Sequence, residues 1–143
     1  MKQKEQIAVI GAGIVGLAIA YKLSLQNKKV TVFEKESQEG LHQSGRNSGV
    51  LHCGLYYQHG SLKAQLSVQG IREMILFCKV HNIPHDVCGK VVVASNAIEE
   101  VALNKLAARG KKNGLSGLSY LTSSQLKKRE PFVHAYKALL VPE

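Results

Sequence analysis

No apolar run in this chain approaches the ~20 residues that cross a bilayer. The longest, Ile7 to Ala20, is interrupted by three glycines. Cysteine is scarce: Cys53, Cys78 and Cys88 are odd in number and have no C-x-x-C spacing. That points away from a disulfide framework and fits free thiols in a reducing, cytosolic setting. Acidic residues are few, 10 against 19 lysines and arginines, for a net charge of +9. The surplus is spread along the chain, and its densest cluster is Lys127, Lys128 and Arg129. Aromatic residues, 6% of the chain, do not interleave with these charges, so no nucleic-acid partner is expected. A solvated basic face, or weak attraction to an anionic membrane surface, is the preferred reading. Repeats and low-complexity tracts are missing too. The first strand is expected within a few residues of the N-terminus, so no signal or transit peptide is expected. What is present, 45% hydrophobic and 20% charged residues in 143, describes a globular domain or part of a larger one.

The most informative stretch is IAVIGAGIVGLAIAYKLSLQNKKVTVFE, Ile7 to Glu34. A short apolar run meets Gly11, Gly13 and Gly16 in the pattern G-x-G-x-x-G. A helical segment and a second β-rich run, Val30 to Phe33, follow. This is the order of a dinucleotide-binding strand, turn, helix and parallel strand. Gly11 allows the sharp turn, Gly13 lets the backbone approach a pyrophosphate, and Gly16 lets the helix pack close to the strands. The helix start, with Ile14 and Val15, offers unpaired N–H groups and a positive dipole end to phosphates. Glu34, 18 residues after Gly16, ends the second strand, where its carboxylate can accept both ribose hydroxyls, with Lys35 beside it. An acid there repels a 2′-phosphate and disfavours NADP. Ala20 and Leu23 share a helix face with Gly16, and Asn27 suits the left-handed residue that ends the helix.

Residues 35–60 are rich in Gly, Ser, His and Asn and read as an extended functional loop. Residues 61–82 look helical, with Ser61 as N-cap and Leu62, Leu66, Ile71, Ile75 and Cys78 as the apolar stripe. Gly70 weakens that helix or permits close packing. A strand is expected at 89–95. A helix capped by Asn96 with Glu99 follows and ends at Asn113-Gly114, its inner face Leu103, Leu106, Ala107 and Gly110. A short strand at Ser119 to Leu121 comes next. A helix with a Thr122/Gln125 capping box then stops before Pro131, and Phe132 to Val141 is extended. The fold class is α/β: a Rossmann βαβ portion over 1–84, then the incomplete start of an α+β substrate domain over 85–143. The series Cys78, His81, His85 and Cys88 has zinc-ligand residue types, but Pro84 breaks any helix that would align the histidines. A helix end, a turn and a strand start is the preferred reading, with no metal expected.

The loop is more specific than the glycines. His42-Gln43-Ser44-Gly45, Asn47-Ser48-Gly49-Val50, His52, Gly54, Tyr56-Tyr57 and Ser61-Leu62-Lys63-Ala64 resemble the flavin-contacting segment of the D-amino-acid-oxidase-like FAD oxidoreductases. Within them, L-2-hydroxyglutarate oxidase/dehydrogenase is the most similar. Cys88 to Lys90, Asn113 to Gly117 and Lys127 to Pro131 match in order as well, so the resemblance covers nearly the whole chain. It implies a FAD cofactor, with the loop lying between diphosphate and isoalloxazine. Gln43, Ser44, Asn47, Ser48 and Gly49 join the cofactor residues, since their N–H, hydroxyl and amide groups suit a pyrophosphate and flavin edges. The resemblance also implies oxidation of a small 2-hydroxy-dicarboxylic acid, with oxygen or a membrane quinone as electron acceptor. The protein is expected in the cytoplasm, with a peripheral place at the inner face of the membrane as an option.

His52 falls near the flavin by this resemblance, either as the base for the substrate hydroxyl or as a packed histidine that orients the loop. Tyr56, Tyr57 and Lys63 are candidates for substrate carboxylates, and Arg46 for a phosphate. His42 and His59 read as loop-surface residues. The family's enzymes run to several hundred residues, so this chain is expected to be an N-terminal portion with weak or no activity alone. The alternatives are another FAD oxidoreductase of the superfamily, acting on amines or glycerol 3-phosphate, and a non-catalytic truncated product or subunit. The long polar loop directly after Glu34 disfavours an NAD dehydrogenase.

Overall fold

The computed structural model describes residues 5–143. They form two compact units, one ending at Val50 and the other running from Leu51 to Glu143. In the first, strand β1 (Gln6–Ile10) leads through the glycine turn into helix α1 (Ile14–Leu25) and returns as β2 (Lys29–Phe33). The strands pair in parallel with Ile7 beside Val30 and Ile10 beside Phe33. Gly11 makes the turn with φ +96°, a conformation costly for any side-chain-bearing residue. A Cβ on Gly16 would run into the Gly11 carbonyl oxygen, so only glycine lets α1 approach the turn this closely. Gly16, Ala20 and Leu23 are the α1 residues not classed as exposed, as their shared face requires. Asn27 ends the segment at φ 61°. The other side of α1 is apolar but open, with Ile14, Val15 and Leu25 all more than half exposed.

The second unit contains α2 (Leu62–Val80), β3 (Lys90–Ala94), α3 (Ala97–Lys112), β4 (Ser119–Leu121), α4 (Ser123–Arg129) and β5 (Lys137–Val141). Its antiparallel sheet has the order β3-β5-β4, with Val92 beside Leu139 and Tyr120 beside the same Leu139. The local punctuation is as the sequence predicts. The Ser61 hydroxyl accepts from Ala64 N, the Asn96 side chain accepts from Glu99 N, and Thr122 and Gln125 form a reciprocal capping box. The core collects Cys53, Leu55, Val68, Ile71, Leu103, Ala107, Leu139 and Val141 from loop, helices and sheet.

α2 and the loop before it bury Cys53, Leu55, Val68 and Ile71 with the second sheet, and so belong to the second compact unit. One expectation, the buried face of α2, differs from what is observed. The buried stripe of α2 is Ala64, Val68, Ile71 and Cys78, while Leu62 and Leu66 lie exposed. Small Ala64 wins the inner position because the Gly54 backbone lies against it: a Cβ on Gly54 would come 3.3 Å from the Ala64 carbonyl oxygen. Gly70 has open space where a Cβ would stand, so it serves no close packing.

Candidate functional site

The glycine turn and the start of α1 form one end of the first unit. Gly13 is the N-cap of α1 and has no side chain with which to cap it. Ser44, 30 residues downstream, supplies what is missing: its hydroxyl oxygen accepts from Ile14 N at 2.8 Å. A second tether runs from Gly40 N to Ala12 O at 3.1 Å. The 35–49 loop is thereby folded back over the glycine turn. A Cβ on Gly13 would come 3.1 Å from the Ser44 hydroxyl, so glycine keeps this place open. The Ser44 hydrogen remains available to an anion at the helix N-terminus, where dipole and free N–H groups favour negative charge. Val15, in the same first turn, is exposed.

Glu34 faces the turn from β2. One carboxylate oxygen accepts from Ala12 N at 2.6 Å, and the other from Lys35 N at 2.9 Å and Glu36 N at 3.0 Å. The Ala12 N–H first, and then that of Glu36, hold the carboxyl below its ordinary value of 4.5. A carboxylate offers about four acceptor positions. Three are taken by backbone, which leaves room for about one ribose hydroxyl rather than the pair that the sequence suggests. Glu34 thus has a structural task that its position alone did not reveal: it ties the glycine turn to the end of β2. The Lys35 side chain reaches Glu36 at 3.5 Å. Glu36 is also met by His42 Nε2 at 2.9 Å, which draws its carboxyl below the ordinary value.

Asn47 organises the loop. Its amide nitrogen donates to Gln43 O and Ser44 O, both at 2.9 Å, and its oxygen accepts from Gly49 N at 2.7 Å. Its donors are spent inside the loop, so Asn47 positions Ser44 rather than reaching outward. Gln43, Arg46, Ser48 and Gly49 are exposed, and Gly49 adopts φ 65°. The structure thus brings Gly11, Gly13, Ile14, Gly16, Glu34 and Ser44 together within one unit. The Ser44 cap and the Gly40 tether span too much sequence for any local motif to reveal.

The second unit carries the remaining candidates. His52 is exposed next to buried Cys53 and has no hydrogen-bond or ion-pair partner among the described residues. Lys63 Nζ sits 4.5 Å from the centre of the Tyr57 ring, and Lys90 Nζ 4.8 Å from that of Tyr56. His59 meets Asn113 at 3.2 Å. Cys78 is buried and Cys88 exposed, and His85 Nδ1 lies 2.8 Å from Ile83 O. Among the described residues no cluster of His, Cys, Asp or Glu is arranged to hold a metal ion. No described helix is long and apolar enough to cross a membrane.

Comparison with known proteins accords with this geometry. The chain is 47% identical over 138 residues to the mitochondrial L-2-hydroxyglutarate dehydrogenase of Nematostella vectensis, covering 95% of this chain and 30% of that protein. It is 45% identical to the L-2-hydroxyglutarate dehydrogenase of Indibacter alkaliphilus, covering 96% of this chain and 35% of the relative. The chain therefore spans about a third of the length of these curated relatives. Among solved structures, the L-alpha-glycerophosphate oxidase of Mycoplasma pneumoniae with FAD bound superposes with a TM-score of 0.80 at 27% identity, over 100% of this chain and 38% of that one. L-proline dehydrogenase from P. horikoshii gives 0.82 at 19% identity, over 99% of this chain and 37% of that one, a likeness of fold alone. Residues 6–143 match the family described as FAD dependent oxidoreductase, and the chain belongs to that family.

Proposed function

We propose that this chain holds the adenosine-diphosphate part of FAD and the first part of the substrate domain of an enzyme that oxidises L-2-hydroxyglutarate to 2-oxoglutarate. Residues 1–84 supply the cofactor portion and 85–143 open the substrate portion. The observation that carries this reading is the 40–47% identity to L-2-hydroxyglutarate dehydrogenases along nearly the whole chain. The glycine turn fits the cofactor: Gly13 leaves open the space that a Cβ would fill beside Ser44, at a helix N-terminus.

The chain's own residues divide the work. The first-turn N–H groups of α1 beyond Ile14, whose own N–H is taken by Ser44, hold the pyrophosphate with the Gly13 and Val15 backbone and the Ser44 hydroxyl. Glu34 accepts a ribose hydroxyl and keeps the turn in register, with Lys35 alongside. Gln43, Ser48 and Gly49 face the middle of the cofactor, and Asn47 holds their loop. A ring nitrogen of His52 takes the proton of the substrate C2 hydroxyl. FAD, when bound, supplies the two-electron acceptor at its isoalloxazine. Electrons then pass to oxygen or a membrane quinone. The setting is cytoplasmic, with the exposed Lys127 and Lys128 of α4 offering weak attraction to an anionic membrane face.

The test is spectroscopic. The purified chain mixed with FAD should quench flavin fluorescence and turn yellow. Glu34→Ala should weaken that binding, and unchanged affinity would sink the assignment. Anaerobic L-2-hydroxyglutarate should leave the flavin of this chain alone oxidised, since the isoalloxazine must be enclosed for controlled transfer. Clear bleaching would show that the chain is sufficient for the reaction. A second reading, a FAD oxidoreductase for glycerol 3-phosphate, is favoured by the likeness to L-alpha-glycerophosphate oxidase.

A further inference from the structure

Gly54 to Tyr57 form a turn whose backbone is fixed from several sides. Leu55 is 1% exposed and lies against α3, where a Cβ on Gly110 would come 2.7 Å from its Cδ1. Asn113 Nδ2 donates to Gly54 O at 2.9 Å and to Tyr57 O at 3.0 Å. Arg109 Nη1 donates to Tyr56 O at 3.1 Å. The end of α3 therefore clamps both ends of the turn. Yet what the clamp displays is open: Tyr56 is 53% exposed. Each of the two neighbouring rings carries an ammonium group, Lys63 from the first turn of α2 on Tyr57 and Lys90 from the start of β3 on Tyr56. Neither lysine has an ion-pair partner among the described residues, although Lys137, the other strand lysine of the second unit, is paired with Glu100 at 2.7 Å.

A ring face steadies an ammonium without neutralising it and leaves its N–H groups free to donate. Two such cations, from different elements, are carried by the adjacent tyrosines of a clamped turn, and neither is ion-paired among the described residues. A rigid platform loses little side-chain freedom on binding. We propose that this platform recognises a dicarboxylic acid, with Lys63 and Lys90 each engaging one carboxylate and the tyrosine hydroxyls donating beside them. Lys90 then separates dicarboxylates from monocarboxylates, a role that the sequence did not suggest. Asn113 and Arg109 are positioning residues that hold the turn. The inference rests on the 2-hydroxy-dicarboxylate reading above and assigns its specificity.

The experiment follows the ring resonances of Tyr56 and Tyr57 in tyrosine-labelled 143-residue chain by NMR. Glutarate, butyrate and sodium chloride at matched ionic strength are titrated in turn. Glutarate should shift both rings saturably and bind about tenfold more tightly than butyrate, the value of one charge-assisted hydrogen bond. Lys90→Gln should bring glutarate down to the butyrate level with the ring dispersion intact, and Lys79→Gln, on the exposed last turn of α2, should change nothing. Glutarate shifts no larger than those from chloride, or a Lys90→Gln variant that titrates like the parent, overturn the proposal. FAD fluorescence in the same samples separates the two claims. FAD bound with glutarate ignored removes the platform alone. Glutarate bound without FAD keeps the platform and removes the cofactor reading.

Discussion

The two units of this chain are held together by different means. Among the described residues, the first buries only Val9 and Ala12, while the other fourteen buried hydrophobic residues all belong to the second. The first unit relies on backbone geometry and hydrogen bonds: the Gly11 turn, the Gly16 approach, the Glu34 amides and the Ser44 cap. Its helix is apolar on both sides, which is the composition of an element meant to be covered all round. The second unit has a three-stranded sheet, helices and one continuous core. The comparison teaches that the first unit is held by specific turns and hydrogen bonds without being well buried. The second unit is held by a buried core of its own.

The sharpest way to break this contrast is at Gly16. Gly16→Ala places a methyl group on the Gly11 carbonyl oxygen, so α1 must move away from the turn. Flavin quenching should fall by well over tenfold, while the circular dichroism of the second unit's helices persists. Loss of the whole fold would show that the units are not separable. The converse is Leu139→Ala, at the 1% exposed centre of β5. It should cost about 2–5 kcal/mol in denaturant unfolding, read as a lower midpoint for second-unit probes. Hydrogen exchange sharpens the comparison without mutation: β5 and α3 amides should exchange more slowly than those of β1 and β2. Equal protection would contradict the difference in burial.

Glu34 supplies a pH test. Its folded carboxyl titrates below the ordinary 4.5 because Ala12 N and Glu36 N donate to the ionised form. Its stabilisation is therefore complete above the unfolded value and is lost as pH falls through the lower, folded value. First-unit exchange protection should drop below about pH 4.5, and Glu34→Gln should flatten that drop while leaving the second unit unchanged. The smallest effects lie on exposed helix positions of the second unit. Asn96→Ala should cost about 1 kcal/mol through the lost N-cap. Gly70→Ala should add about 0.8–1 kcal/mol, because a Cβ there meets nothing within 4 Å. A destabilising Gly70→Ala would reveal packing on that face.

Much of this was legible in the residues. Ser61, Asn96 and Thr122 cap the helices that their spacing predicts, and Asn27 takes the left-handed turn. The glycine fingerprint and the loop from His42 to Ala64 carry the family in their residues alone. On α2, Ile71 and Cys78 face inward as their spacing predicts, but hydrophobic size favours Leu62 and Leu66 where the core takes Ala64 and Val68, beside the backbone of Gly54. Lys90 was missed because nothing within β3 links it to Tyr56.

The sequence by itself determined the elements, their caps and the glycine turn, because these depend on residues three or four apart and on the backbone freedom of single glycines. It also determined the family, because the loop pattern is long. The tertiary structure alone decided that Ser44 caps α1 across 30 residues and that Glu34 spends three acceptor positions on backbone amides. It alone decided that α2 joins the second unit and that two lysines settle on neighbouring tyrosines. Each of these depends on which distant surfaces meet, and that is set by the burial of the whole chain rather than by any local pattern.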